Sequence, residues 1–255
     1  MPKFSANLGF LWRELPLPQA IRAAAAAGFG AVECCWPYDA DVDEVNAALN
    51  ETGLRMLGLN TRPGINGEAD FGVNALPGRE EEARSYIDEA IAYATAVGCR
   101  NINLLAGRSG GGAAAEAAYR RNLAYASERA APYGIGLLIE PINQRDAPGY
   151  HLRSLEQGLA TLQAVGSRSL RLMFDCYHIQ IMHGELTQRL RAALPYTGHI
   201  QIAAVPDRGE PDDGEIDYPA LLAALDAMGW QGFIGAEYRP RSSTEAGLGW
   251  LDAYR

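Results

Sequence analysis

Lysine is almost missing from this chain: Lys3 stands alone among 255 residues. It precedes or enters the first predicted strand, so no lysine remains for a Schiff base, a pyridoxal-phosphate anchor or a phosphate-binding P-loop. Histidine is scarce too, with four in all, and the formal charge is −9 with a pI near 5.0. A nucleic-acid backbone or an anionic membrane needs a basic footprint that so acidic a chain does not offer. The four cysteines, Cys34, Cys35, Cys99 and Cys176, form no CxxC pair and read as reduced core thiols. No apolar run approaches the length of a membrane span, and the opening MPKFSANLGF has no leader-like apolar stretch. These absences predict a cytoplasmic protein whose partner is a small molecule, with no nucleic acid and no membrane. Homo-oligomerisation stays open.

What is present is an alternation. Short β-rich runs near 4–8, 30–34, 54–60, 100–105, 135–140, 170–175, 198–203 and 232–237 are separated by helical patterns rich in alanine. The helices are expected near 17–27, 41–51, 79–97, 114–131, 153–165, 184–193, 218–227 and 243–253, with Gly28, Gly53, Gly98, Gly134, Gly166 and Gly229 at or just beyond their ends, where left-handed caps are common. An eightfold β-then-α repeat in about 250 residues predicts an α/β fold, a single (β/α)8 TIM barrel over residues 1–255, against a doubly wound open sheet as competitor. Two glycine-bearing stretches, 61–78 and 107–113, are expected as loops on the catalytic face.

Four of the apolar runs finish on an oxygen-bearing side chain: GIGLLIE on Glu140, LRLMFD on Asp175, GHIQ on Gln201 and FIGAE on Glu237. Spacings of about 35, 26 and 36 residues each fit one strand-helix unit, which places all four groups at one end of a parallel sheet. A curled sheet brings them together, whereas an open one would spread strands about 4.8 Å apart across some 14 Å. Three carboxylates and an amide form an all-oxygen donor set suited to Mg²⁺, with Mn²⁺ second, and to neither zinc nor copper. Such an ion leaves room for a neighbouring hydroxyl and carbonyl to chelate. Glu140 and Glu237 could then flank the bound carbons, one taking the α-proton and the other delivering it to the next carbon through an enediolate, which is aldose–ketose isomerisation.

The stretches EPIN (140–143), DAPGYHL (146–152), FDCYHIQIMHGEL (174–186), GHIQIAAVPDRGEPDDGEIDY (198–218) and GFIGAEYRP (232–240), with GLNTRPG (58–64) and LLAG (104–107), span most of the chain. This set strongly resembles the hydroxypyruvate isomerases and 2-oxo-tetronate isomerases of the xylose-isomerase-like barrel superfamily. The resemblance implies that Glu140, Asp175, Gln201 and Glu237 hold one divalent metal, with Glu140 and Glu237 as the acid/base pair. It also implies that His178 and Arg208 contact substrate. The substrates concerned are small hydroxy-oxo acids, so a guanidinium that grips a carboxylate through two hydrogen bonds has a physical reason to be there. Arg62 and Arg239 are secondary candidates on the same face. The expected reaction converts hydroxypyruvate to 2-hydroxy-3-oxopropanoate (tartronate semialdehyde). The alternatives are a 2-oxo-tetronate isomerase, a ketose 3-epimerase or sugar isomerase of the same superfamily and, more remotely, a barrel that binds a ligand without catalysis. His151, His183 and His199 lack convergent spacing and read as structural or surface residues.

Overall fold

The computed structural model describes residues 2–254. Its strands are β1 (Lys3–Asn7), β2 (Ala31–Glu33), β3 (Gly58–Asn60), β4 (Asn101–Asn103), β5 (Gly136–Ile139), β6 (Leu170–Asp175), β7 (Thr197–Ile202) and β8 (Phe233–Ala236). They line up in the order β2-β1-β8-β7-β6-β5-β4-β3, and the paired strands run parallel. The helices are α1 (Leu17–Ala26), α2 (Val42–Thr52), α3 (Glu80–Ala96), α4 (Ala113–Ala130), α5 (Leu155–Val165), α6 (Cys176–His183), α7 (Leu186–Ala193) and α8 (Tyr218–Ala227). No helix among the described residues is long and apolar enough to cross a membrane.

Local chemistry sets these boundaries. The Asp41 carboxylate accepts from the backbone N–H of Asp43 and Glu44 to start α2, and Gly53 ends it in the left-handed conformation. Ser154 caps α5 through Gln157 N–H at 3.0 Å, and Gly166 closes it. Each arrangement satisfies backbone groups that a helix end leaves without a partner. Two elements depart from the sequence expectation. Helix α6 follows β6 without a loop, so His178 lies on a helix in a stretch, 176–183, where the sequence pattern predicts none. The segment expected as a helix near 243–253 is a 3-10 helix, Glu245–Tyr254; Gly247 and Gly249 within it weaken an α-helix.

Contacts divide the chain into two compact units. One comprises residues up to Leu57, Asp175–Pro195 and the chain from His199 onward; the other comprises Gly58–Phe174 and Tyr196–Gly198. In the first unit, Trp250 packs its ring against Phe4 (5.0 Å between centroids), Tyr238 and Phe29, beneath the buried faces of β1 and β8. Helix α1 buries Ala20, Ile21 and Ala24, and α2 buries Val45, Ala48 and Leu49. In the second unit, Ile87, Ala90 and Ala94 of α3 and Ala115, Ala118 and Leu123 of α4 form the buried helical faces. No disulfide joins the four cysteines, and all but Cys35 are buried.

The two stretches foreseen as loops, both in the second unit, are well tied. Gly72 and Ala106 form an antiparallel bridge. A Cβ on Gly72 would sit 2.4 Å from the Leu105 carbonyl, and one on Gly107 would sit 2.3 Å from that of Gly72, both at positive φ, so glycine is what permits this approach. Arg108 donates to the carbonyls of Glu68 (3.2 Å) and Pro148 (2.6 Å). His151 is buried and bridges Ser109 Oγ (2.9 Å) on Nδ1 and Glu116 Oε2 (3.0 Å) on Nε2. The 61–78 loop is anchored by Asp70, which accepts from Arg79 Nη2 at 2.8 Å and from Asn66 N–H at 3.1 Å.

The Arg79 guanidinium holds the Asp70 carboxyl down at about 2, against an ordinary 3.8. Folding lowers this pKa, so the stabilisation is complete above about pH 4 and is lost as pH falls towards 2. Asp70→Asn is therefore expected to cost about 1–2 kcal/mol at pH 7, a drop in Tm of roughly 2–8 °C for a chain of this size. Thermal melts from pH 7 to pH 2 check this: the gap between variant and wild type should close at the acid end.

Candidate active site

The first unit gathers Asp175, His178, Gln201, Arg208 and Glu237, all of them buried. Asp175 is the last residue of β6 and the N-cap of α6: its Oδ1 accepts from Tyr177 N–H at 2.8 Å. Capping spends one oxygen and fixes the side chain. The other, Oδ2, lies 3.4 Å from Arg208 Nη2 and 3.5 Å from His178 Nε2. Glu237 follows β8 and meets three donors. Asn7 Nδ2 at 2.6 Å and Gln201 Nε2 both reach its Oε2, and Arg208 Nη2 reaches its Oε1 at 2.5 Å.

Arg208 sits in a left-handed backbone conformation, φ 58°, which costs a residue with a Cβ about 1–2 kcal/mol. The turn is braced: Arg208 N–H donates to Ala204 C=O, Ala204 N–H donates to Gly209 C=O, and Arg208 C=O accepts from Arg239 N–H at 2.7 Å. The guanidinium lies over the rings of Phe10 (4.7 Å) and Tyr177 (4.9 Å). Aromatic faces on two sides and carboxylates at the tip hold a cation in a buried place. Burial, and next the charge of Arg208, push the His178 imidazole well below its ordinary pKa. It is thus neutral at pH 7, one ring nitrogen donating and the other accepting.

Gln201 is held by its nitrogen. Nε2 donates to Glu33 Oε2 at 2.8 Å and to Glu237, which fixes the amide orientation. Its Oε1 is buried and has no hydrogen-bond partner among the described residues. A buried acceptor without a donor is costly, and a hard cation is the partner that such an oxygen suits. The donor set of the first unit therefore fits Mg²⁺ or Mn²⁺.

In the second unit, Glu140 follows β5 directly and is buried, with Asn103 Nδ2 at the end of β4 donating to its Oε2 at 3.0 Å. By sheet register β5 lies beside β6, with Ile139 opposite Leu172. Arg62 forks onto Glu89 at 2.7 and 2.9 Å. Arg239 is exposed and meets Arg208 through its backbone.

Sequence reasoning passed over Asn7, Glu33 and Asn103. Each ends a strand of the first half of the chain, the same position that singled out the later four. Glu33 is fully enclosed and bonded to Ser5 Oγ (2.8 Å), His199 Nε2 (3.1 Å) and Gln201. Burial raises its pKa, yet the His199 charge and the hydrogen bonds of His199, Ser5 and Gln201 outweigh it and leave the carboxyl lowered. His199 and His151, which the sequence reads as structural or surface residues, are both buried and polar-bonded.

Residues 21–254 match the family described as xylose isomerase-like TIM barrel. The chain is 44% identical to the 2-oxo-tetronate isomerase of Cupriavidus necator, covering 100% of this chain and 99% of that protein. It is 40% identical to the hydroxypyruvate isomerase of Escherichia coli, covering 100% of both. A crystal structure described as AP endonuclease, family 2, from Brucella melitensis superposes with a TM-score of 0.94 at 39% identity, covering 100% of both chains.

Proposed function

The chain belongs to the xylose isomerase-like TIM barrel family and is an isomerase, and on that footing we propose that it interconverts hydroxypyruvate and 2-hydroxy-3-oxopropanoate. In this reading the chain is a single barrel domain, and Glu140, Asp175, Gln201 and Glu237 are the residues that would hold one divalent ion, Mg²⁺ first and Mn²⁺ second. The observation that carries this reading is a buried guanidinium, Arg208, facing the buried carboxylates Asp175 and Glu237. It sets a group that can grip an anionic substrate beside a group that can move a proton.

When bound, the ion supplies Lewis-acid polarisation of the substrate carbonyl. The residues do the rest. Arg208 takes the substrate carboxylate, and His178, neutral at pH 7, contacts a substrate oxygen. One of Glu140 and Glu237 removes the proton on C3 to give an enediolate; the other delivers a proton to C2 while the hydroxyl proton of C3 passes to the oxygen of C2. Atoms balance without any further reactant. Arg62 and Arg239 are retained as secondary candidates, outer contacts for a longer substrate.

A four-carbon oxo acid is the second reading, supported by the relative from C. necator named for 2-oxo-tetronate. A neutral ketose is disfavoured by the buried cation, which would be left facing nothing of opposite charge in the ligand. An endonuclease reading, which the Brucella description invites, meets a formal charge of −9 and four histidines in all, the reverse of a phosphate-binding surface.

The test is a panel of hydroxypyruvate, 2-oxo-tetronate and a neutral ketose, assayed in D₂O after EDTA treatment and again with Mg²⁺ restored. Expected are metal-dependent turnover of the oxo acids, deuterium entering carbon-bound positions, and at least a hundredfold preference for carboxylates. Full turnover after metal removal ends the cation reading. Equal turnover of the ketose ends the role of Arg208, and a protein that binds oxo acids without any solvent exchange is a binding barrel.

A further inference from the structure

We propose that Glu33 is a positioning residue that turns the Gln201 carboxamide so that its oxygen, and not its nitrogen, faces the cation; this role rests on the metal reading above. The two ends of a carboxamide are nearly equal in size, so packing alone does not choose between them. Hydrogen bonding does. Both N–H bonds of Gln201 Nε2 end on carboxylates, Glu33 Oε2 and Glu237 Oε2. Rotating the amide would turn its oxygen onto two acceptors at once.

Glu237 cannot hold this orientation alone, because in the proposed site its carboxylate is shared with the ion. Glu33 is free of that duty. Ser5 Oγ donates to its Oε1 at 2.8 Å, and His199 Nε2 lies 3.1 Å from both oxygens. The carboxylate is therefore fixed before any ion arrives, as the outer partners of metal ligands usually are.

The strand register explains how a residue of β2 reaches one of β7. Ser5 on β1 pairs with Gly235 on β8, and Gly235 pairs with Gln201 on β7. A Cβ on Gly235 would lie 2.2 Å from Glu33 Oε1 and 2.9 Å from both Gln201 Cγ and His199 Nε2. The missing side chain of β8 is the gap through which Glu33 and His199 meet Gln201. With Glu33 held by Ser5 and His199, an alanine there has nowhere to push it.

Two variants separate this role from ordinary packing. Glu33→Leu/His199→Leu removes the buried pair as a unit and leaves no isolated charge. Gly235→Ala closes the gap and alters no polar group. Each is titrated with MnCl₂ as metal-free protein by calorimetry, with circular dichroism and a thermal melt to establish folding. The Mn²⁺ Kd is expected to weaken about 10–100-fold in both. At saturating Mn²⁺, kcat should recover to within a few-fold of wild type, since no proton-transferring group has changed. A folded variant that binds Mn²⁺ within threefold of wild type overturns the role of Glu33. Failure of wild type to bind Mn²⁺ overturns the metal reading, and this role with it. Should the double variant not fold, Gly235→Ala decides.

Discussion

Glu140→Gln is expected to lower kcat by about 10²–10⁴-fold, the usual contribution of a general acid or base, with loss of a charged metal donor adding to it. The fold should persist. Asn103 donates to Glu140 Oε2, and a glutamine can present its oxygen to the same amide, so that bond survives the change. The melting temperature should move by only a few degrees. Glu237→Gln loses as much activity, but physical reasoning separates the two variants in stability. Asn7, Gln201 and Arg208 all approach Glu237 as donors, two on Oε2 and one on Oε1. A carboxamide has one oxygen, so its NH₂ end must face a donor whichever way it turns. Glu237→Gln should therefore melt lower than Glu140→Gln, by roughly 2–8 °C for about 1–2 kcal/mol of buried mismatch. Steady-state kinetics with melts of both variants check the pair of expectations. Activity within tenfold of wild type in both would end the two-glutamate mechanism.

The asymmetry between these glutamates marks where the sequence was informative. Short apolar runs bounded by glycine place strands well. IGLLIE predicts a strand over 135–140, and β5 is Gly136–Ile139 with Glu140 one residue past its end. LRLMFD over 170–175 is β6 itself. The strands of the first half are harder to read, since β2, β3 and β4 are three residues each. Runs so short do not advertise the polar residue that ends them, which is why Glu33 and Asn103 are not legible as strand-end groups. Helix α6 was missed because FDCYHIQIMH carries no break between strand and helix. Its start signal is Asp175, whose carboxylate caps the helix while facing Arg208, and a residue with two roles is read for one. The direction of Gln201 was not legible at all. It depends on Glu33, 168 positions away in the chain, and on what Gly235 lacks.

Arg208→Met should raise KM for hydroxypyruvate far more than it lowers kcat. Removing one partner of a buried charge pair costs about 2–5 kcal/mol, which corresponds to roughly 30- to 5,000-fold in kcat/KM. Methionine keeps much of the volume between the Phe10 and Tyr177 rings, so the loss falls on charge and not on packing. Asp175 and Glu237 then face each other's charge without the guanidinium between them. A divalent ion should partly replace it, and Mg²⁺ should stabilise the variant against heat more than it stabilises wild type. Arg208→Lys is the informative companion. It restores a positive charge but not the planar fork, so it should recover stability while leaving a carboxylate held by one hydrogen bond instead of two. His178 provides a second readout. Burial dominates the lowering of its pKa and the charge of Arg208 adds to it; in Arg208→Met the imidazole pKa should rise, though burial keeps it below its ordinary value. Because folding depresses the pKa of this base, its protonation in the unfolded chain destabilises the native state at acid pH. That penalty should shrink in the methionine variant and return in the lysine one. NMR titration of the histidine ring signals, set beside kcat/KM for a carboxylate and for a neutral substrate, separates these effects. A methionine variant that discriminates oxo acid from ketose as well as wild type does would remove Arg208 from substrate recognition and leave it a purely structural counter-charge.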